Sequence, residues 1–331
     1  MDDVEYNDAN RAFIQAFMAR SSMTLPEVQP VLAAIISQHE GRTVEPDDVT
    51  AEHLSSFISA ANSAISPFDL EIRSSLNQAS QANSQGTTTP VPERFYALVN
   101  TTSDALTQLA TTRSADEIAF VKRILDYMFD TNNTRRCEGM TISSIQAIQQ
   151  AKTSGDAGRR RSTNVGGAQA NQGGTAQPLS MTQAENVMRQ LVDEGWLEKS
   201  RKGLFTLTPR ALMELRGWLV LTYNDDVTRI KNCAACKEII TVGQRCGNLD
   251  CPGRLHDHCM RNFFRMQQAE KCPVCKEEWP GDQFVGERAI AAQQGRRPIT
   301  AAVPRETAPP SSMPNGHHNA SQDENGDEDE G

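Results

Sequence analysis

The chain has 331 residues, 23% of them charged and 38% hydrophobic, with a formal net charge of −9. The length leaves room for two or three domains, and the acidic balance argues against a protein that coats nucleic acid. No apolar run approaches the ~20 residues of a membrane span, and the opening Met1-Asp2-Asp3-Val4-Glu5 lacks a signal core, so neither a membrane nor secretion is expected.

The first block predicts helices. Phe13, Phe17 and Met18 fall on one face, with Ile14 beside them. Thr24-Leu25-Pro26-Glu27 is a start signal, with a capping threonine, an early proline and glutamate three residues on. Behind it Val28, Val31, Leu32, Ile35 and Ile36 form an apolar stripe. A third helix follows Thr50, with Leu54, Phe57, Ile58, Ala61 and Ile65 inward. Leu70-Glu71-Ile72 and Phe95 to Val99 read as short strands around a floppy hairpin tip, Ser80 to Thr89. Three helices and a long-tipped hairpin make a winged-helix order. Ser114 to Glu117 then caps a helix that is apolar at Ile118, Val121, Ile124, Leu125, Met128 and Phe129.

A second unit repeats that order. Ile142 to Gln150 is a short helix, and Ser154 to Gln177, rich in Gly, Ala, Gln, Asn and Arg, is a disordered insertion. Ser180 caps a helix that packs Val187, Met188, Leu191 and Val192, and Gly195 stops it in a left-handed turn. Trp196 to Lys199 and Leu204 to Leu207 alternate as strands around Arg201-Lys202-Gly203. Thr208-Pro209 opens a further helix with Leu212, Leu215 and Trp218-Leu219. If the winged helices touch DNA, Met181 to Glu194 is the recognition helix. It sets Arg189 against Glu185, Asp193 and Glu194, a poor DNA face. The wing Lys199, Arg201 and Lys202, and Arg159-Arg160-Arg161, offer at most a weak DNA contact and read mainly as solvated loop charges.

Between Cys233 and Cys275 stand Cys233, Cys236, Cys246, Cys251, His256, Cys259, Cys272 and Cys275. Seven of the chain's eight cysteines lie here. A Cys-x2-Cys pair brings two thiolates to one ion from a single turn. Eight ligands suffice for two closed tetrahedral zinc sites, which are structural because no position is open to substrate. His258 competes with His256, but His256 gives His-x2-Cys, whereas His258 adjoins Cys259 and reads as an exposed loop histidine. Cys137, the remaining cysteine, reads as an ordinary helix-end thiol. After Val285 the apolar pattern is lost, and Asp323 to Gly331 carries six acids and no base.

The ligand order resembles the RING family and its plant-homeodomain relatives. The resemblance implies interleaved sites: Cys233, Cys236, His256 and Cys259 on one zinc, and Cys246, Cys251, Cys272 and Cys275 on the other. A plant-homeodomain reader would have tryptophan where Glu270 stands, which favours RING. RING domains hold a ubiquitin-conjugating enzyme on an apolar patch, here Ala235, Phe263 or Phe264, and Pro273. Ala235 is smaller than the usual Ile or Leu, and each methylene lost from a contact is worth ~0.8 kcal/mol. Lys276 replaces a common arginine and cannot form its fork. Both departures imply a weak ligase that needs a partner.

Two winged helices before a variant RING resemble the non-SMC element 1 family, the RING subunit of the SMC five–six complex, over residues 5 to 282. The most specific stretches are Phe95 to Asn100, Gly195-Trp196-Leu197 through Leu215, and the zinc segment closing in Trp279-Pro280. The resemblance implies a ubiquitin ligase of DNA repair and chromosome maintenance, nuclear and chromatin-associated, docked to a MAGE-type subunit and a kleisin. It implies no catalytic nucleophile in this chain, since the thioester sits on the conjugating enzyme. A structural scaffold and a DNA- or chromatin-binding regulator are the alternatives. The expected fold is α+β, with two tandem winged-helix domains, A (1–131) and B (132–226), the second carrying an insertion at 153–178. A small zinc-bound variant RING domain (227–284) follows, its ligands in the order four cysteines, one histidine, three cysteines, and then a disordered tail (285–331).

Overall fold

A computed structural model describes residues 6–78, 92–101, 112–152, 177–224 and 227–295. The Ser80–Thr89 hairpin tip, nearly all of the 153–178 insertion, Arg159 to Arg161 and the Asp323–Gly331 acidic run lie outside the described residues.

The first unit runs α1 (Asp8–Arg20), β1 (Ser22–Thr24), α2 (Leu25–Glu40), α3 (Ala51–Ile65), β2 (Leu70–Leu76), β3 (Arg94–Asn100). Asn7 caps α1 by accepting from the amides of Ala9 and Asn10. The capping box at α2 pairs Thr24 with Glu27, whose carboxylate takes the Thr24 amide at 2.7 Å. Phe13, Phe17, Leu32 and Leu54 are fully buried in one core. Met18 is not with them: it is 63% exposed, because one step of ~100° past Phe17 leaves the buried face. The sheet order is β1-β3-β2, all antiparallel. β2 continues four residues beyond the expected Leu70–Ile72, pairing through Leu76↔Arg94.

The second unit repeats the pattern: α4 (Ala115–Asp126) with a π turn at Tyr127–Thr131, β4 (Ile142–Ser143), α5 (Ser144–Lys152), α6 (Met181–Asp193), β5 (Leu197–Lys199), β6 (Leu204–Leu207), in sheet order β4-β6-β5. α4 therefore belongs to the core of this second unit and not to the expected first winged-helix domain A (1–131). Phe120, Ile124, Met128 and Phe129 share a core with Ala147, Val187, Leu191 and Leu215. A boundary at 132 cuts through that core. The expected single helix after Thr208 is two, α7 (Pro209–Glu214) and α8 (Arg216–Tyr223).

The metal-ligand segment holds β7 (Gly243–Arg245), β8 (Arg254–Leu255), α9 (Asp257–Gln267), β9 (Phe284–Val285) and α10 (Glu287–Gly295), with sheet order β8-β7-β9. Ordered structure thus runs past 285: Arg288 of α10 ties back to Asp257 at 2.5 Å and to the Gly243 carbonyl at 3.2 Å.

This segment is welded to both winged helices. Ile230, Ile239 and Val285 sit in the core of the second unit. The two winged helices also touch each other, since Ala97 and Val99 of β3 cluster with Met213 of α7. Arg216 of α8 meets Glu238 at 2.7 Å and the Lys237 carbonyl at 3.0 Å. Gln78, just past β2, is buried against an extended run of the segment. Its oxygen accepts the Thr241 amide at 2.8 Å and the Val242 amide at 3.1 Å, and its nitrogen donates to the Ile239 carbonyl at 2.7 Å. Glu138, in the turn after the π helix, is 2% exposed and faces Lys231, Arg245 and Arg254. Burial alone would raise its pKa. The Arg254 fork, Lys231 and Arg245 more than offset that and hold the carboxyl below its usual range.

Replacing Gln78 by alanine strands three backbone groups of the junction. Each buried group left unpaired costs roughly 1–3 kcal/mol. Gln78→Ala is expected to lower the urea unfolding midpoint of the full chain, whereas an exposed neighbour such as Arg94→Ala leaves it within error.

Candidate metal centre

The centre is assembled from two matching turns and a hairpin. In Cys233-Ala-Ala-Cys236 the Cys233 amide donates to the Glu238 carbonyl at 2.8 Å, and the Lys237 amide returns to the Cys233 carbonyl at 3.0 Å. In Cys272-Pro-Val-Cys275 the same bonds recur: Cys272 amide to Glu277 at 2.8 Å, Lys276 amide to Cys272 at 3.1 Å. Lys237 and Lys276 close the turns with positive φ, at 65° and 66°. Hairpin β7–β8 carries Cys246 and Cys251 between its strands. The start of α9 supplies the remaining two, with His256 as its N-cap residue and Cys259 in its first turn.

These elements bring the eight residues into two groups: Cys233, Cys236, His256 and Cys259 in one, Cys246, Cys251, Cys272 and Cys275 in the other. Within each group the ligand atoms all lie within 4.8 Å of one another. Cys246 Sγ is 3.5 Å from Cys275 Sγ, and Cys251 Sγ is 3.5 Å from Cys272 Sγ. His256 Nδ1 is 3.3 Å from Cys236 Sγ and 3.9 Å from Cys259 Sγ. A tetrahedral zinc with Zn–S of about 2.3 Å sets neighbouring sulfurs ~3.8 Å apart, so the donor sets fit that ion in size as well as in chemistry. Both groups are four-donor sets with no opening for a substrate.

The packing leaves no slack around the second group. A Cβ on Gly253 would lie 2.5 Å from Cys272 Sγ, so only glycine lets the chain pass this close. Trp279, buried beneath the group, donates to Gln244 Oε1 at 3.0 Å.

Crowded thiols cannot all ionise without a cation. Burial pushes the Cys246 thiol up to about 12, helped by the Cys275 and Cys272 thiols, and burial also raises Cys251. In the first group hydrogen bonds from Cys236 and Cys259 hold Cys233 down as the thiolate, and that thiolate in turn raises Cys259. Burial disfavours a charged His256, but the Cys233 and Cys236 sulfurs outweigh it and lift the ring to about 9.

His258 is neither a ligand nor an exposed loop residue. It lies in α9, half-buried, with its ring stacked on His256 at 5.0 Å between centroids and 13° between planes. Cys137 is 7% exposed in a tight turn rather than at a helix end. Its amide donates to the Thr134 carbonyl at 3.1 Å, and its carbonyl accepts from the Thr134 amide at 2.8 Å. Burial first, then Glu138, raises its pKa, which makes it an inert thiol.

Of the expected conjugating-enzyme contacts, Ala235 is exposed, Pro273 and Phe264 are half-buried, and Lys276 is exposed. Phe264 packs edge-on against Trp279 at 5.7 Å. Lys276 Nζ folds onto the Pro273 carbonyl at 3.0 Å, as Lys237 Nζ folds onto the Ala234 carbonyl at 2.7 Å. Sequence reasoning missed Val274 and Met266, which are 51% and 84% exposed. Val274 was legible, since it is the second residue inside the fourth ligand pair. Met266 falls off the α9 stripe and carried no signal.

The exposed face of α6 carries Glu185, Arg189 and Asp193, a mixed surface. In the wing, Lys202 is engaged with Glu287 at 3.3 Å and Lys199 lies over the Phe205 ring at 5.3 Å.

A family model described as Nse1 non-SMC component of SMC5-6 complex matches residues 10–215, more than half of the chain. A second, described as a RING-like domain, matches residues 233–275. The chain is 24% identical over 273 residues to proteins named non-structural maintenance of chromosomes element 1 homolog from Pongo abelii and Homo sapiens, covering 82% of this chain and 84% of each relative. It also superposes on a chain of a solved Nse1-Nse3-Nse4 complex with a TM-score of 0.59 and 22% identity, covering 85% of this chain and 99% of that one.

Because Cys246 keeps its proton at pH 7, a metal entering the second group must displace protons. Burial raises Cys251 as well, so more than one proton is displaced and apparent affinity is expected to fall as pH falls, by more than one decade per pH unit below 7. Competition with a chromogenic chelator across pH 6–8 measures this, and a pH-independent constant would contradict it.

Proposed function

On the premise that this chain belongs to the family of the Nse1 non-SMC component of the SMC5-6 complex, we propose that it is a zinc-bound, RING-type ubiquitin ligase subunit of that complex. The two four-donor groups hold two structural zinc ions. They fix the turns that present Ala235, Pro273, Val274 and the α9 residue Phe264 as a shallow apolar surface for a charged conjugating enzyme. Ligand and enzyme chemistry are separate: no residue of this chain forms a bond to ubiquitin, and rate comes from holding the thioester of the conjugating enzyme in a reactive geometry. The observation that carries this reading is the interleaved assembly of the eight ligands into two closed groups with an apolar knuckle left exposed at Val274.

The winged helices dock a MAGE-type subunit and a kleisin, the Nse3 and Nse4 of the matched assembly. The work of the complex is DNA repair and chromosome maintenance in the nucleus, on chromatin. Activity is weak alone. Ala235 offers little contact area, and Lys276 has a point charge already engaged by Pro273, where a guanidinium fork would reach outward.

A scaffold reading competes, and one observation favours it. The metal segment shares the second winged-helix core through Ile230, Ile239 and Val285, so its ions stabilise the whole assembly surface whether or not ubiquitin is transferred. The two readings part in a reconstituted ubiquitination assay with and without the MAGE-type partner. Cys272→Ala/Cys275→Ala is expected to abolish transfer. Val274→Asp, an exposed change, is expected to cut the rate about tenfold with metal content unchanged, since losing a buried valine contact costs ~1.5 kcal/mol or more. Equal rates for wild type and both variants would leave the scaffold.

A further inference from the structure

Hairpin β7–β8 poses an electrostatic problem. Arg245 and Arg254 are directly opposed across it, and both are buried, at 3% and 1% exposure. Like charges facing each other across a sheet repel, and buried charges need partners. The partner comes from outside the metal segment. Glu138 Oε2 accepts from Arg254 Nε at 2.7 Å and Oε1 from Arg254 Nη2 at 2.5 Å, a two-bond fork. Arg245 Nη1 lies 3.4 Å from the same Oε1 and also donates to the Arg135 carbonyl at 2.8 Å. The Glu138 carbonyl further accepts the Gly286 amide at 2.7 Å.

The remaining nitrogen of Arg254 points at the ligand loop. Nη1 donates to the Cys251 carbonyl and to the Gly253 carbonyl, both at 2.8 Å. The Gly253 carbonyl also takes the Cys246 amide at 3.0 Å, and the Gly253 amide reaches Cys251 Sγ at 3.4 Å. One guanidinium thus fixes the backbone at both ligands of the second pair. Arg245 precedes Cys246 directly, so the same carboxylate anchors both strands. The first ligand group differs. Its Cys233 turn is closed by backbone bonds to Glu238 and Lys237, by the Ala234 amide on the Arg254 carbonyl at 2.9 Å and by Arg216 of α8 on the Lys237 carbonyl at 3.0 Å, whereas Lys231, which meets Glu138 at 3.2 Å, makes no side-chain clamp on a ligand carbonyl among the described contacts.

We propose that Glu138, a residue of the second winged-helix unit, is the positioning residue of the Cys246/Cys251/Cys272/Cys275 metal site. It holds Arg254 and Arg245, and through them the two ligand-bearing strands. That site keeps its ion at full affinity only while docked on the winged helix. The clamp acts through the Arg254 side chain on the carbonyls of Cys251 and Gly253, so its loss is expected to loosen this ion and leave in place the ion of the group that contains His256. The inference rests on the two-zinc reading above.

The test uses the full chain and its zinc. Glu138→Gln keeps the size and removes the charge. Arg254→Lys keeps the charge and removes the fork. Zinc release to excess chelator is followed with a chromogenic indicator. Cobalt replacement distinguishes a four-thiolate site from one with imidazole by its absorption bands. In both variants one of the two ions should leave roughly 10–100-fold faster than in wild type, as loss of partners that orient ligands commonly does. The cobalt spectrum should assign it to the four-thiolate site. The other ion should leave at the wild-type rate, with the helical circular dichroism unchanged. Unchanged release of both ions overturns the proposal. So does joint loss of both ions with loss of helix signal in both variants, which reduces Glu138 to a fold-holding residue. A wild-type chain that holds fewer than two ions overturns the two-zinc reading instead.

Discussion

A single buried carboxylate sets the geometry on which the rest of the molecule depends. Glu138 stands at 2% exposure among Lys231, Arg245 and Arg254, one acid against three bases. Taking these charges out of water costs several kcal/mol per ion, and their attraction returns that cost only if the geometry is good. At Arg254 it is good, because its fork is satisfied on every nitrogen, with two bonds to Glu138 and two to backbone carbonyls, whereas Arg245 keeps one buried nitrogen, Nη2, without a partner. An apolar replacement of the same volume could be as stable. It would not specify a direction, since hydrophobic contact has no fork. The cluster is best understood as fixing how the metal segment sits on the winged helix. Removing the acid alone would leave two buried guanidinium groups and a half-buried ammonium facing one another.

The other junction contacts act in the same sense. A metal segment of this size has a small core of its own, built on the buried cysteines, Leu255 and Trp279. It gains a larger one by lending Ile230, Ile239 and Val285 to the second winged helix. Gln78 ties the first unit to the backbone at 239–242 through both ends of its amide, a geometry that an aliphatic side chain cannot copy. The α10 helix closes the far side by setting Arg288 on Asp257, next to the ligand His256. The apolar knuckle at Val274 is therefore presented at a fixed angle to the surfaces of the winged helices, not swung on a tether. A ligase that must reach a target lysine from within a larger complex benefits from that rigidity, and so does a scaffold.

Much of this was readable in the chain because the relevant signals are local. The capping residues Thr24, Ser114 and Ser180, the stop at Gly195 and the ligand spacings each express a rule that acts within a few residues. What was not readable depends on distant partners. β1 and β4 are three and two residues long, too short to alternate, and exist because β3 and β6 offer them a free edge. α4 enters the second unit's core, although nothing in its own stripe says which core it enters. Met18 shares the helix of Phe13 and Phe17 but not their face. Glu138 follows an ordinary turn, and no spacing announces a carboxylate whose partners come about a hundred residues later in the chain.

The two ligand turns also change how Lys276 should be read. Taken alone, it is a lysine where a stronger ligase would have arginine. Beside Lys237 it is one of a pair. Both follow the second cysteine of their turn, both adopt positive φ near 65°, and both return their ammonium to a carbonyl inside the turn. Lys237 closes the first turn, so the shared behaviour follows from turn geometry and not from contact with a conjugating enzyme. A side chain engaged in this way has to give up the Pro273 carbonyl before it can bridge to a bound protein. The reach of an arginine would cover both tasks, because one nitrogen could keep the carbonyl while the others faced outward. In this structure, therefore, the Lys276 side chain is occupied with holding its turn.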